Sequence, residues 1–350
     1  MMSTMADPDA QVTVGVDTHK DVHVAAVLDV RGAVLGCESF ATTRQGLGEL
    51  ANWAARFGSI DRVGVEGTGS WGATLARRLT GADLEVIEVN RTNRQHRRRH
   101  GKSDTADAIG AARAVQAGEA TAAPKSGDGP VEALRTLRIA LRSGIKARTQ
   151  AMNQIRSILD TTDPGLRAEL GRLRGRDLAA KCARFRPGAD VTDPGTAAKT
   201  ALRSLGRRWL DLDEEITALQ HELATAVKAV APPGLLNEPG VGINTAAALL
   251  IAAGDNPERM RTEGSFAALC GVSPVDASSG RHERHRLNRG GDRDANSALW
   301  RIVMVKMATD PTTKDYIARR VSEGKTKREA MRILKRYLAR RYWKLLTTPT

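Results

Sequence analysis

The sequence predicts an α/β domain with a mixed sheet, then a long helical middle, then a mainly helical C-terminal segment. Three observations carry this: alternating apolar runs confined to residues 11–89, the order of the elements there, and a heptad seam further on. Val12, Val14 and Val16 alternate with small or polar residues. After THKD the alternation resumes at Val22, Val24, Ala26 and Leu28, which reads as a β-hairpin. A third strand follows near 33–40, and helical periodicity runs over about 46–57. A strand at 62–65 ends in Glu66. A helix near 72–79, a strand at 84–89 and a helix opening near Asp104 complete the order βββαβαβα, assigned to residues 11–125.

Strand signals then vanish. Leu202, Leu205, Trp209, Leu212, Ile216, Leu219, Leu223, Ala226 and Val230 alternate three- and four-residue steps, an a/d seam. Leu134, Leu137, Leu141, Ile145, Met152, Ile155 and Leu159 form a less regular partner stripe. Two long helices are therefore expected to pack as a coiled-coil hairpin within residues 126–230; an ordinary helical bundle is the alternative. The Gly-, Pro- and Asp-rich stretch 186–195 is the expected loop between them. APPG at 231–234 ends the seam and opens the third segment, 231–350, which closes on a basic amphipathic helix at 325–346.

Composition narrows the function. The 350 residues carry a net charge of +14. The pI near 10.2 points to a polyanionic partner, of which nucleic acid is the usual one. There is no apolar run of ~18 residues, so no membrane span is expected. The first residues lack a signal-peptide pattern, and a cytoplasmic location is expected. Cys37, Cys182 and Cys270 are too scattered for a disulfide framework or a zinc site.

Four carboxylates stand out. Asp17 ends the first strand in GVDTHK, Glu66 ends another in GVEGTG, and Asp104 and Asp107 open a helix in KSDTADA. Spaced i,i+3, the last two share a helix face. Brought together, the four would repel one another. Two Mg²⁺ ions would relieve that repulsion and could stabilise the attacking and leaving oxygens of phosphoryl transfer. Simpler uses exist: Asp17 in a hairpin turn, Asp104 and Asp107 as helix caps. Glu66 has no capping role.

The basic residues cluster. Arg91, Arg94, Arg97, Arg98, Arg99 and Lys102 lie between Glu66 and Asp104 without an acid among them, and read as a clamp on a phosphate backbone. Pro239-Gly240-Val241-Gly242 leads into an apolar helix and looks like a helix-hairpin-helix turn. Gly240 and Gly242 would offer backbone N–H groups to phosphate; a plain interhelical turn is the alternative. In GVSPVDASSGRHERHR, Ser278 and Ser279 precede Arg281, Arg284 and Arg286. A serine needs activation to act as a nucleophile, and arginines would stabilise charge on an attacked phosphate. A flexible basic loop is the alternative.

With these motifs in order, the chain resembles the insertion sequence 110 family of transposases, also called bridge-RNA-guided recombinases. The resemblance covers nearly the whole chain. It matches the family's DEDD cluster to Asp17, Glu66, Asp104 and Asp107, and its PGIG-like turn to PGVG. The family's serine corresponds to Ser279, five residues after Pro274. Ser103 stands where threonine is common, and the doubled serine leaves Ser278 as a lesser candidate. The resemblance implies an RNase H-like (RuvC-like) first domain and a coiled coil leading to a serine-bearing transposase domain. It implies homodimers or homotetramers acting on donor and target DNA, and a noncoding guide RNA that chooses the sites. Competing readings are a RuvC-like nuclease or junction resolvase with no covalent step, and an inactive nucleic-acid-binding scaffold. Tyr316, Tyr337 and Tyr342 raise a tyrosine recombinase, though packing is their simpler use.

Overall fold

The computed structural model describes residues 10–90, 103–278, 285–286 and 288–348. These form two compact units: one up to Gly129 together with Ala253–Ser265, the other from Pro130 to Ala252 and from Phe266 onward.

The first unit is built on a five-stranded sheet ordered β3-β2-β1-β4-β5. Its strands are β1 (Gln11–Thr18), β2 (Val22–Asp29), β3 (Val34–Ala41), β4 (Ser59–Glu66) and β5 (Val86–Val89). β2 is antiparallel to β1 and β3, while β4 is parallel to β1 and β5 parallel to β4. β2 thus runs against the other four. Helices α1 (Arg44–Ala54) and α2 (Ala73–Thr80) cover one face, and α3 (Asp104–Gln116) covers the other. Strand alternation sorts the residues. Val12, Val14 and Val16 join Val63, Val65, Leu47, Leu50, Leu75 and Leu79 in one core.

The opposite face of the central strands is flattened by glycine. Gly15 and Gly64 sit side by side in the β1–β4 register. A Cβ on Gly15 would lie 2.1 Å from the Ala108 carbonyl oxygen, and one on Gly64 would lie 2.9 Å from that of Ala111. Both contacts are with the backbone of α3, so the helix approaches the sheet only because these two positions carry no side chain. Ala108, Ala111 and Ala112 complete the close fit.

In the second unit, α4 (Pro130–Thr161) and α7 (Pro194–Val230) lie side by side and antiparallel. Ile216 packs on Gly144, Arg148 reaches Asp213 and covers the Trp209 ring, and Ile155 and Leu202 share a core. Within the seam Leu202, Trp209, Ile216 and Leu223 are buried, whereas Leu205, Leu212, Leu219 and Ala226 are half-buried. The expected loop 186–195 is only part of the connection. Two short helices precede it, α5 (Pro164–Leu170) and α6 (Gly175–Ala183), and residue 194 already opens α7. Leu166, Leu170, Leu178 and Cys182 fill the space they enclose, and a Cβ on Gly206 would lie 2.6 Å from the Ala179 carbonyl oxygen. These helices run for seven and nine residues, too short for a periodicity to show in the sequence.

Next come α8 (Ile243–Ala253), α9 (Glu263–Leu269), a short ladder of β6 (Val275–Asp276) with β7 (His285–Arg286), and α10 (Arg293–Thr309), α11 (Pro311–Ser322) and α12 (Lys327–Thr347). The last opens on a capping box between Thr326 and Glu329. Tyr342 lies fully inside this core, where burial pushes its hydroxyl well above the ordinary range. Tyr316 and Tyr337 meet edge to face at 6.3 Å. Tyr342 is buried and Tyr316 half-buried, while Tyr337 is exposed.

Candidate functional site

The C-terminal ends of β1 and β4 lie side by side, and their last residues carry the acids. Asp17 is 6% exposed. Glu66 follows the all-buried run Val63–Val65, and its carbonyl accepts a 2.7 Å hydrogen bond from the Thr18 hydroxyl. Gly67 then turns with φ +71, a conformation suited to glycine. The close approach of α3 to Gly15 brings the first turn of that helix to the same end. Asp107 is buried and Asp104 is exposed. Ser103 caps α3 by accepting from the Ala106 N–H at 3.1 Å, so neither aspartate is the capping residue.

His19 completes the cluster. Its Nε2 lies 3.1 Å from Asp17 Oδ2 and 3.4 Å from Asp104 Oδ1. It lies one residue past the end of β1, next to the strand end that carries Asp17. Burial raises the Asp17 carboxyl above its ordinary value; the His19 contact opposes this, while Asp107 and Asp104 add to it. A cavity of about 470 Å³ opens here, with Asp17, His19, Glu66, Asp107 and the unanticipated Glu88 in its wall. Among the described residues, one ligand atom each from Asp17, His19 and Asp104 lie within 4.8 Å of one another. A buried carboxylate held among other carboxylates and an imidazole fits a divalent cation, which would offset the cost of burying its charge and the repulsion that adds to it.

In the second unit Ser278 ends the described part of the serine segment. Its N–H and hydroxyl both donate to Asp276 Oδ1, at 2.8 and 2.5 Å, and these bonds hold the Asp276 carboxyl below the ordinary range. Both bonds span two residues, the pattern of an aspartate-initiated turn. Arg286 is exposed on β7. Gly240 turns with φ +86 against Ile302, where a Cβ would lie 3.1 Å from a backbone oxygen. Gly242 has open space at its Cβ, but its N–H is taken by Thr245 Oγ1 at 2.9 Å. The turn thus uses part of its own donor capacity. Ser279, Arg281 and Arg284, and Arg91, Arg94, Arg97, Arg98, Arg99 and Lys102, lie outside the described residues.

Comparison with known proteins agrees with these motifs. Residues 14–164 match a family model for the DEDD transposases of IS110, described as "Transposase". Residues 234–318 match a second, described as "Transposase IS116/IS110/IS902 family". The chain belongs to the IS110 family of transposases. Among its relatives is the "Insertion element IS110 uncharacterized 43.6 kDa protein" of Streptomyces coelicolor, 32% identical over 40% of this chain and 35% of that protein. Another is the "Insertion element IS900 uncharacterized 42 kDa protein" of Mycobacterium paratuberculosis, 29% identical over 32% of this chain and 28% of that one. The chain therefore spans about a third of the length of the curated relatives it matches. In this IS110-family chain all four sequence-predicted carboxylates fall within the first matched segment, and Ser279 falls within the second. No described helix is long and apolar enough to cross a membrane.

Proposed function

We propose that this protein is a DNA transposase that cuts and rejoins strands at element ends and target sites, using a metal-bound carboxylate cluster and Ser279 as nucleophile. The observation that carries the reading is the convergence of Asp17 and Asp104 on His19 at the mouth of a cavity that Glu66 and Asp107 also line. Asp17, Glu66, Asp104 and Asp107 would hold the cation, in our reading two Mg²⁺ ions. Divalent cations there would neutralise phosphate charge and favour phosphoryl transfer. The sheet order, with β2 alone reversed, supports an RNase H-like (RuvC-like) domain at 11–125. The antiparallel α4–α7 pair supports a coiled-coil region at 126–230, which leaves 231–350 as the serine-bearing domain.

The serine supplies what rejoining requires. Its oxygen bonds to phosphorus as one phosphodiester P–O bond breaks, and the leaving oxygen takes up a proton. The covalent phosphoserine conserves the energy of the broken bond until a new strand end attacks and releases the serine. Hydrolysis by water would lose that energy. Donor and target DNA are the substrates. Guidance by a noncoding RNA from the same element, action as a homodimer or homotetramer, and a cytoplasmic location are further parts of this proposal; the family and the net charge of +14 support a nucleic-acid partner.

The test is cleavage of supercoiled donor and target DNA with and without Mg²⁺ and element-derived RNA. Asp17→Asn should lower strand cutting by at least about a hundredfold, in the range of lost metal or acid–base function, while DNA affinity stays near wild type, because affinity comes from Lys and Arg. Wild-type cutting by Asp17→Asn would remove the metal-site reading.

A further inference from the structure

The second unit contains a cavity of about 450 Å³ that the carboxylate chemistry does not use. Its walls include residues 271–274, Arg286 on β7, and the side of α12 bearing Arg332 and Lys335. Among the described residues the carboxylate in this wall is Glu329. It accepts bonds from the Thr326 N–H and hydroxyl, both at 2.8 Å, and so is committed to capping α12.

Lys335 is the unusual member. It is 5% exposed, its Nζ donates to Asn296 Oδ1 at 2.8 Å, and that Nζ lies 5.7 Å from the centre of the Trp300 ring. No carboxylate pairs with it among the described residues. Asn296 in turn donates to the carbonyls of Cys270 and Gly271, at 2.9 and 3.0 Å. Lys335 is thereby fixed to the backbone at the start of the segment that runs through β6 to Ser278. An ammonium taken out of water with no counter-charge is costly, and an anion entering beside it recovers that cost. Burial, with Arg332 nearby, pulls the amine below its ordinary value in the same direction. A helix-packing lysine would instead extend its charged end to water.

We propose that this cavity seats a single DNA phosphate, held by Lys335 from within and by Arg332 and Arg286 at the rim. The bound phosphate would fix the strand next to the segment that carries Ser279. The choice of DNA rests on the reading of Ser279 as the serine that attacks DNA; the cavity itself is read from Lys335 and its surroundings.

The test is the salt dependence of duplex-DNA binding by the full chain, for wild type, Lys335→Met and Arg332→Gln. Each variant should lower the log–log slope by about 0.9, the value for one lost phosphate contact. Arg332 is exposed, so Arg332→Gln tests the cavity independently of any folding loss in Lys335→Met. Unchanged slopes in both variants would overturn the proposal, as would a loss seen with single-stranded RNA and not with DNA. Covalent capture of DNA separates the two readings. An adduct that depends on Ser279 together with wild-type slopes in both variants would sink the cavity alone. Lowered slopes with no adduct in the wild type would sink the serine and leave the cavity standing.

Discussion

At the scale of single residues, the carboxylate site trades stability for charge. Burial holds Asp17 above its ordinary value of 3.8, so the folded chain binds this proton more tightly than the unfolded chain does. The sign follows. Above the folded value Asp17 is ionised and destabilises the metal-free fold; as pH falls through that value toward 3.8 the penalty disappears. Asp17→Asn should therefore melt higher than wild type near about pH 7 in chelator, the ionised range of an unperturbed carboxylate. The gap should close as pH falls toward 3.8, and a gap that stays constant would show that ionised Asp17 costs nothing. Asp17, Glu66, Asp104 and Asp107 were legible in the sequence because strand ends and a helix start are recognisable from periodicity. His19 was not legible, because it lies past the end of β1, where strand periodicity gives no signal. The Lys335–Asn296 contact was not legible. It joins residues on two helices 39 positions apart, and no local pattern encodes that.

At the scale of elements, β1 and β2 were legible from alternating valines and small residues, although both strands are buried on both faces, and β4 begins three residues earlier than its apolar run suggests. The glycine pair was less visible. Gly15 and Gly64 each look like ordinary small strand residues until the register sets them together under α3. The short helices α5 and α6 escaped notice because they lack the length that makes a period measurable. The apolar rows expected along 202–230 lie on α7, but they are unequal, with Ile216 at 1% exposure and Leu212 half-buried. Ile216→Asp should thus cost about 3 kcal/mol or more, since it places an unpaired charge against Gly144 in the helix pair. Leu212→Asp should cost distinctly less. Chemical denaturation of the two variants checks this. Equal losses would mean that both rows are buried in the protein as it exists in solution, and that a second chain covers the outer one.

At the scale of the whole molecule, the proposed reaction draws on two chemistries. One unit gathers carboxylates at the end of a sheet, and the other leads a basic segment to Ser279, with a net charge of +14 suited to DNA. A water-using nuclease would need only the first. The central claim is that both act on the same phosphodiester, and the most direct measurement is covalent capture of labelled DNA on denaturing gels in the presence of Mg²⁺ and element-derived RNA. The account predicts a protein–DNA adduct in the wild type that Ser278→Ala keeps, and that Ser279→Ala and Asp17→Asn each lose. An adduct that persists in Ser279→Ala, or strand cutting by the wild type with no adduct at all, would contradict it.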